Sequence, residues 1–252
     1  MKFDVKGRIW LLILFTLSVL VGVSAIYASE HEQEVAEHPI KALLIKHAGS
    51  VPDADDLKPF AGRIDAQKAL KEILGEKKYL ETWPGAVIAM GTITSLDNQD
   101  GVKIKDDLLR FMLGKLPFGC SNCAEPSHSS ATLSQWDQKA RLEVPVALGL
   151  LLQNIEHHNL SDGTPESVVL WKLGEIGLGN VPAPICATDE ACEQVLELHA
   201  VRGLELSHEF GALEKLQNIS EASSNPLVKR EAHLVLEEIK EQHLQNKKPE
   251  VH

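Results

Sequence analysis

The stretch GALEKLQNISEASSNPLVKREAHLVLEEI, residues 211–239, decides the reading of this chain. Its first part, FGALEKLQNI from Phe210, carries leucines at helical spacing. SEASSNPL is a polar turn around Asn225-Pro226, and a second helical run, VKREAHLVLEEIKE, follows. Apolar residues recurring every three to four positions mark one buried face on each helix. Neither helix of such a pair can bury that face alone, so each must pack on its partner and on further helices.

Upstream, the same pattern recurs in DAQKALKEILGEKKYLETWPGAVIAMGTI, residues 65–93. Asp65 is placed to cap a helix whose Ala66, Leu70, Ile73 and Leu74 share a face and which Gly75 ends. Pro84 suits the first turn of a second helix carrying Val87, Ile88, Gly91 and Ile93. A third amphipathic segment is expected from Lys105 to Leu116, then an irregular stretch from Pro117 to Thr132. LSQWDQKARLEVPVALGLLLQNI must kink or divide at Pro145, which lacks an amide donor and clashes one turn back. Pro165 opens ESVVLWKLGEIGL, and Asp189-Glu190 open a helix through Leu196, Leu198 and Val201. Trp83, Trp136 and Trp171 fall in helical apolar patterns and are expected inside the packing. His157, His158 and His199 are read as solvated residues near helix ends. No alternating run signals a strand.

Residues 211–239 resemble one HEAT repeat, and 65–93 resemble the same unit less closely. The resemblance implies an all-α fold, a short irregular α-solenoid of helix pairs in which each pair buries one face on itself and another on the next. Two more pairs fit at about 104–155 and 165–207, with the cysteine loops as insertions. Equating Ala86, Ala147, Ala200 and Ala232 gives spacings of 61, 53 and 32 residues, against about 40–47 in a regular array. An ordinary helical bundle with a HEAT-like ending is the alternative. The repeat domain is expected over 65–241, preceded by a polar linker with one short helix at 29–64 and followed by a polar tail at 242–252.

The first 28 residues set the compartment. Lys2, Lys6 and Arg8 precede IWLLILFTLSVLVGVSAIYA, residues 9–28, which carries no charge. A positive start before an apolar run is an export signal. A cleaved signal peptide would use the small residues at Val23-Ser24-Ala25 or Ile26-Tyr27-Ala28. An uncleaved anchor would use all twenty residues, about 30 Å at about 1.5 Å each, the thickness of the hydrocarbon core. Both place the body outside the cytoplasm, anchored in the inner membrane or released beyond it into the periplasm or its equivalent.

Of 252 residues, 44% are apolar and 24% charged, and mean hydropathy is −0.09, which excludes a polytopic membrane protein. The net charge is −11, and because the first 28 residues are net +2, the remainder carries −13. So acidic a body repels nucleic-acid phosphates and anionic lipid, and attracts a protein partner with a basic patch.

Four cysteines fall in two close pairs, Cys120/Cys123 (C-S-N-C) and Cys186/Cys192. In an oxidising compartment these read first as two local disulfides pinning loops. A thioredoxin-type motif at Cys120–Cys123 would need a strand before it and a helix N-terminus beneath it. A c-type haem site would need histidine at Ala124, and His128 lies four residues too far on. A Cys₄ zinc site departs from ligand spacing at the second pair. His31, His38 and His47 are spaced too irregularly for a metal tract. Some HEAT-family proteins are di-iron hydroxylases using His-Glu pairs. Here His208-Glu209 stands alone before the last repeat, His31-Glu32 lies in the linker, and the second helix of that repeat offers Arg230-Glu231 instead. No phosphate loop, nucleophile elbow or H-E-x-x-H motif occurs. Asn159-Leu-Ser and Asn218-Ile-Ser match the glycosylation pattern. The expectation is therefore a non-catalytic interaction or scaffold protein without a cofactor. The alternative is an exported thiol-redox or haem-associated accessory protein using Cys120–Cys123.

Overall fold

The computed structural model describes residues 38–113, 135–155, 161–180, 185–186, 189–207 and 210–246. From Pro39 onward the chain groups into one compact unit. All regular structure among the described residues is helical, with ten α-helices of eight residues or more. They are α1 (Pro39–Lys46), α2 (Ile64–Gly75), α3 (Trp83–Ile93), α4 (Gln99–Met112), α5 (Gln135–Leu142), α6 (Val144–Gln153), α7 (Pro165–Gly177), α8 (Glu190–Ser207), α9 (Phe210–Ala222) and α10 (Pro226–Asn246). Among these residues no helix is long and apolar enough to cross a membrane, and residues 9–28 lie outside them.

Helix starts follow local chemistry. Pro84, Pro145 and Pro165 occupy first-turn positions, where a missing amide costs nothing. Asn98 accepts from the Gly101 amide at 2.8 Å and starts α4 six residues ahead of the Lys105 boundary expected from apolar spacing. That first stretch is polar, so a cap and not a hydrophobic stripe defines it. Asp65 is not the cap of α2. The helix begins at Ile64 with Arg63 in the capping position, and Asp65 in the first turn accepts from the Arg63 guanidinium. Pro145 divides its element as expected, with Glu143 at the joint between α5 and α6.

The helices pack in pairs: α2 on α3, α4 and α5 on α6, α7 on α8, and α9 on α10. The later members also lie against one another in chain order, α3 to α6 to α8 to α10, and α7 lies against α9. Ala86, Ala147, Ala200 and Ala232 sit one on each of those four later helices, all fully buried. Small residues set how closely the helices approach. A Cβ on Gly91 of α3 would stand 2.7 Å from Ala147 Cα of α6, and one on Gly203 of α8 would overlap the Pro145 carbonyl. His199 of α8 meets Leu142, and Gly203 four residues on meets Pro145 and Gly149, so α6 and α8 run parallel.

Polar side chains close the joints that packing leaves. Trp83 Nε1 donates to the Ile73 carbonyl at 2.9 Å, binding α3 to the end of α2. Asn154 donates to the carbonyls of Gly91, Thr92 and Thr94 at 2.9–3.1 Å and so caps the end of α3. Arg141 is buried, pairs with Asp137, and donates to the Phe111 carbonyl at the end of α4.

Residues 39–60, read from the sequence as part of a polar linker with one short helix, join the core. Besides α1 they form a helical turn at Ala54–Leu57, and Ile40, Leu44, Leu57 and Phe60 are buried in one core with residues of the later helices. Their polar neighbours conceal an apolar face too short for periodicity to reveal. Trp83 is buried as expected, but Trp171 is 54% exposed.

Candidate interaction surface

The described cysteines form a disulfide, Cys186–Cys192, across six positions. Both residues are buried. The Asp189 carboxylate between them accepts from the amides of Ala191 and Cys192, so the bridge and the cap together fix the start of α8. Gln138 of α5 places its amide 3.3 Å from Cys192 Sγ, which ties this corner to the preceding pair. Cys120 and Cys123, the other two predicted site residues, lie outside the described residues, as do His31, Glu32, His128, His157, His158, His208 and Glu209. Among the described residues no group of three or more His, Cys, Asp or Glu side chains is arranged to hold a metal ion.

His199 is not a solvated residue at a helix end. It lies in the middle of α8, half-buried, with Nδ1 2.7 Å from the Leu142 carbonyl and 3.7 Å from the Glu143 carboxylate. That contact requires a hydrogen on Nδ1, which donates to Leu142 at the α5–α6 joint. Burial pushes the Glu143 carboxyl above its ordinary range, and the neighbouring His199 and Lys139 draw it back. The pair is tied into a backbone joint, and this gives it a structural role.

The first helices α7 and α9 cover one side of the α6–α8–α10 row, and the row leaves a stripe open on each helix. On α6 it holds the half-buried Val146 and Leu150. On α8 it runs Val195, Leu198, Arg202, Glu205, with Val195 37% exposed. On α10 it holds Leu227 and Leu234, 47% and 52% exposed, with the exposed Glu231 between them. A groove of about 370 Å³ runs between α8 and α10, with Leu198, Val201 and Leu227 along it and Glu205 and Glu231 at its edges. Arg202 in this groove is held by Glu205, while Glu231 has no cation against it among the described residues. An apolar strip with an acidic margin can bury the apolar face of a partner and pair with its basic flank.

Periodicity assigned Val195, Leu198 and Leu234 to helices but left Leu227 in the SEASSNPL turn, whereas it lies in the first turn of α10, and it could not identify this surface. Each residue lies at the margin of its helix's buried stripe, and only the neighbouring helix decides whether it is covered.

No protein-family model, no curated protein and no solved structure matches the chain. The HEAT likeness of 211–239 thus has no family match behind it. What stands is an all-α protein of paired helices.

Proposed function

We propose that this chain is an exported, non-catalytic scaffold, a short HEAT-like solenoid whose open α6–α8–α10 face holds an envelope protein or membrane complex through a basic patch. The observation that carries this reading is the groove between α8 and α10, where Leu198, Val201 and Leu227 lie together with Glu205 and Glu231 at the edges. Contiguous apolar surface on an otherwise charged protein marks a place where another molecule docks. The close glycine contacts between α3, α6 and α8 favour a rigid platform, which lowers the entropy lost on binding. The apolar run at residues 9–28 and the Cys186–Cys192 bridge both fit an oxidising, extracytoplasmic location.

The test is co-purification of the full chain with its membrane partners, wild type against Leu198→Lys and Leu227→Lys. Both side chains are partly exposed, so the fold should tolerate the change. Each variant should lose at least about tenfold in partner recovery. Recovery should also fall between low and moderate salt. Capture that is indifferent to both substitutions would reject this face. Fractionation with an alkaline carbonate wash tests the location, and recovery of the intact chain from the cytosol would overturn export. Replacing Cys120 and Cys123 with Ser separates the redox alternative: a scaffold keeps its partner, whereas loss of disulfide-reporter exchange with the fold intact would favour redox chemistry.

A further inference from the structure

The outer side of α10 carries a pattern that is complementary to itself. Val228, Ala232, Val235, Leu236 and Ile239 turn into the core. Leu227, Arg230, Glu231 and Leu234, spaced i, i+3, i+4 and i+7, share another stripe of the helix, and all four are exposed. Leu227 is 47% and Leu234 52% exposed, among the largest such values for bulky apolar side chains described. Neither the Arg230 guanidinium nor the Glu231 carboxylate has a partner among the described residues. The cause lies in the sequence. Positions three and four away from Arg230 hold Pro226, Leu227, His233 and Leu234, and those around Glu231 hold Leu227, Val228, Leu234 and Val235, so neither finds an opposite charge on its own helix.

A second α10 supplies what this one lacks. A twofold axis midway between Arg230 and Glu231 sets Leu227 of one antiparallel helix level with Leu234 of the other. The same axis sets Arg230 level with Glu231, twice over. A parallel pair would instead bring Arg230 to Arg230 and Glu231 to Glu231. We infer that α10 is a self-association face, on which a second copy of this chain packs antiparallel through Leu227 and Leu234 and two Arg230–Glu231 ion pairs. This is an isologous contact, the same patch used by both copies. Each copy carries −11 and repels the other at long range. That repulsion is screened beyond about 8 Å at physiological salt, so the close contacts of the stripe decide the outcome. The contact stands apart from the scaffold reading. Leu227 borders both surfaces, but Leu198 belongs to the α8–α10 groove alone and Leu234 lies outside it.

Photocrosslinking of the full chain tests this, with a benzophenone amino acid at Glu238, exposed on the same stripe one turn beyond Leu234. The otherwise unaltered chain should give a crosslinked dimer whose yield rises with protein concentration. Arg230→Glu and Glu231→Arg each set like charges against one another in a homodimer, and each should lower the yield by about tenfold. Mixing these two variants, on chains tagged to different sizes, restores both opposite-charge pairs, and the heterodimer should form within about threefold of the unaltered yield. The double variant, Arg230→Glu with Glu231→Arg, should recover likewise. Leu234→Lys should lower the yield by about tenfold, and Leu198→Lys should leave it unchanged. Both charged positions are exposed, so their exchange leaves the core intact, and association through residues 9–28 would be indifferent to them. Absence of a dimer at every concentration, single charge variants that crosslink as well as the unaltered chain, or a mixture that stays monomeric would each overturn the inference. So would crosslinking in membrane extract to a protein of another mass alone.

Discussion

Gly149 of α6 faces Gly203 of α8 so closely that a Cβ built on Gly149 would stand 2.6 Å from Gly203 Cα. Backbone meets backbone there, and no rotamer change can relieve an added side chain. Gly149→Leu should therefore destabilise the fold by about 1–3 kcal/mol or more, read as a drop in urea midpoint at unchanged slope. Gly174→Ala is the contrast. Its added Cβ meets only the flexible stem of Lys215, at 3.1 Å. A helical Gly-to-Ala exchange should there be neutral or stabilising by up to about 1 kcal/mol.

Arg141 and Asp137 form a buried ion pair one turn apart, and the guanidinium also satisfies the Phe111 carbonyl. Arg141→Ala removes the buried cation that serves Asp137 and the Phe111 carbonyl together and should lower stability by about 1.5–3 kcal/mol. Arg141→Lys should recover little, because an ammonium cannot reproduce the fork that reaches Asp137 and Phe111 together. Thermal unfolding of the two variants side by side checks this.

Cys186 and Cys192 close a small loop at the start of α8. Opening it by Cys186→Ser with Cys192→Ser should reduce stability by about 2 kcal/mol, the chain-entropy value for so short a loop. Loss of hydrogen-exchange protection should concentrate in the first turns of α8, where Asp189 caps the helix beside the bridge. Alkylation before and after reduction, read by mass, should report this pair as oxidised in freshly isolated protein.

Glu197 lies buried on α8, with one carboxylate oxygen lacking any partner among the described residues. Burial raises its pKa, the Asn225 side chain opposes that rise, and Glu193 adds to it. A carboxyl raised in the folded state stabilises most when protonated, below its unfolded pKa. That contribution is lost as pH climbs through the folded value. Glu197→Gln should accordingly be more stable than wild type at pH 7. The advantage should shrink as pH is lowered toward the unfolded carboxyl range of about 4.3. A stability difference independent of pH would show that Glu197 is not the group responsible.

Much of the architecture could be read from residue order alone. Leucine spacing in 211–239, first-turn prolines at 84 and 165, and the division forced by Pro145 are local effects of backbone geometry, and the helices follow them. Pairing of Cys186 with Cys192 was equally legible, since six positions of chain keep the two thiols close in any compact fold. Only tertiary structure decided the rest. Trp171 and Trp83 sit in similar helical patterns, yet one is exposed and the other buried over Ile73. His199 resembles any helix histidine until α6 brings the Leu142 carbonyl to it. The periodicity of a helix assigns a buried side, but burial at the margins depends on how closely the next helix approaches. Here that distance is set by Gly91, Gly149 and Gly203 meeting residues roughly 55 positions away along the chain, pairings that no local pattern encodes.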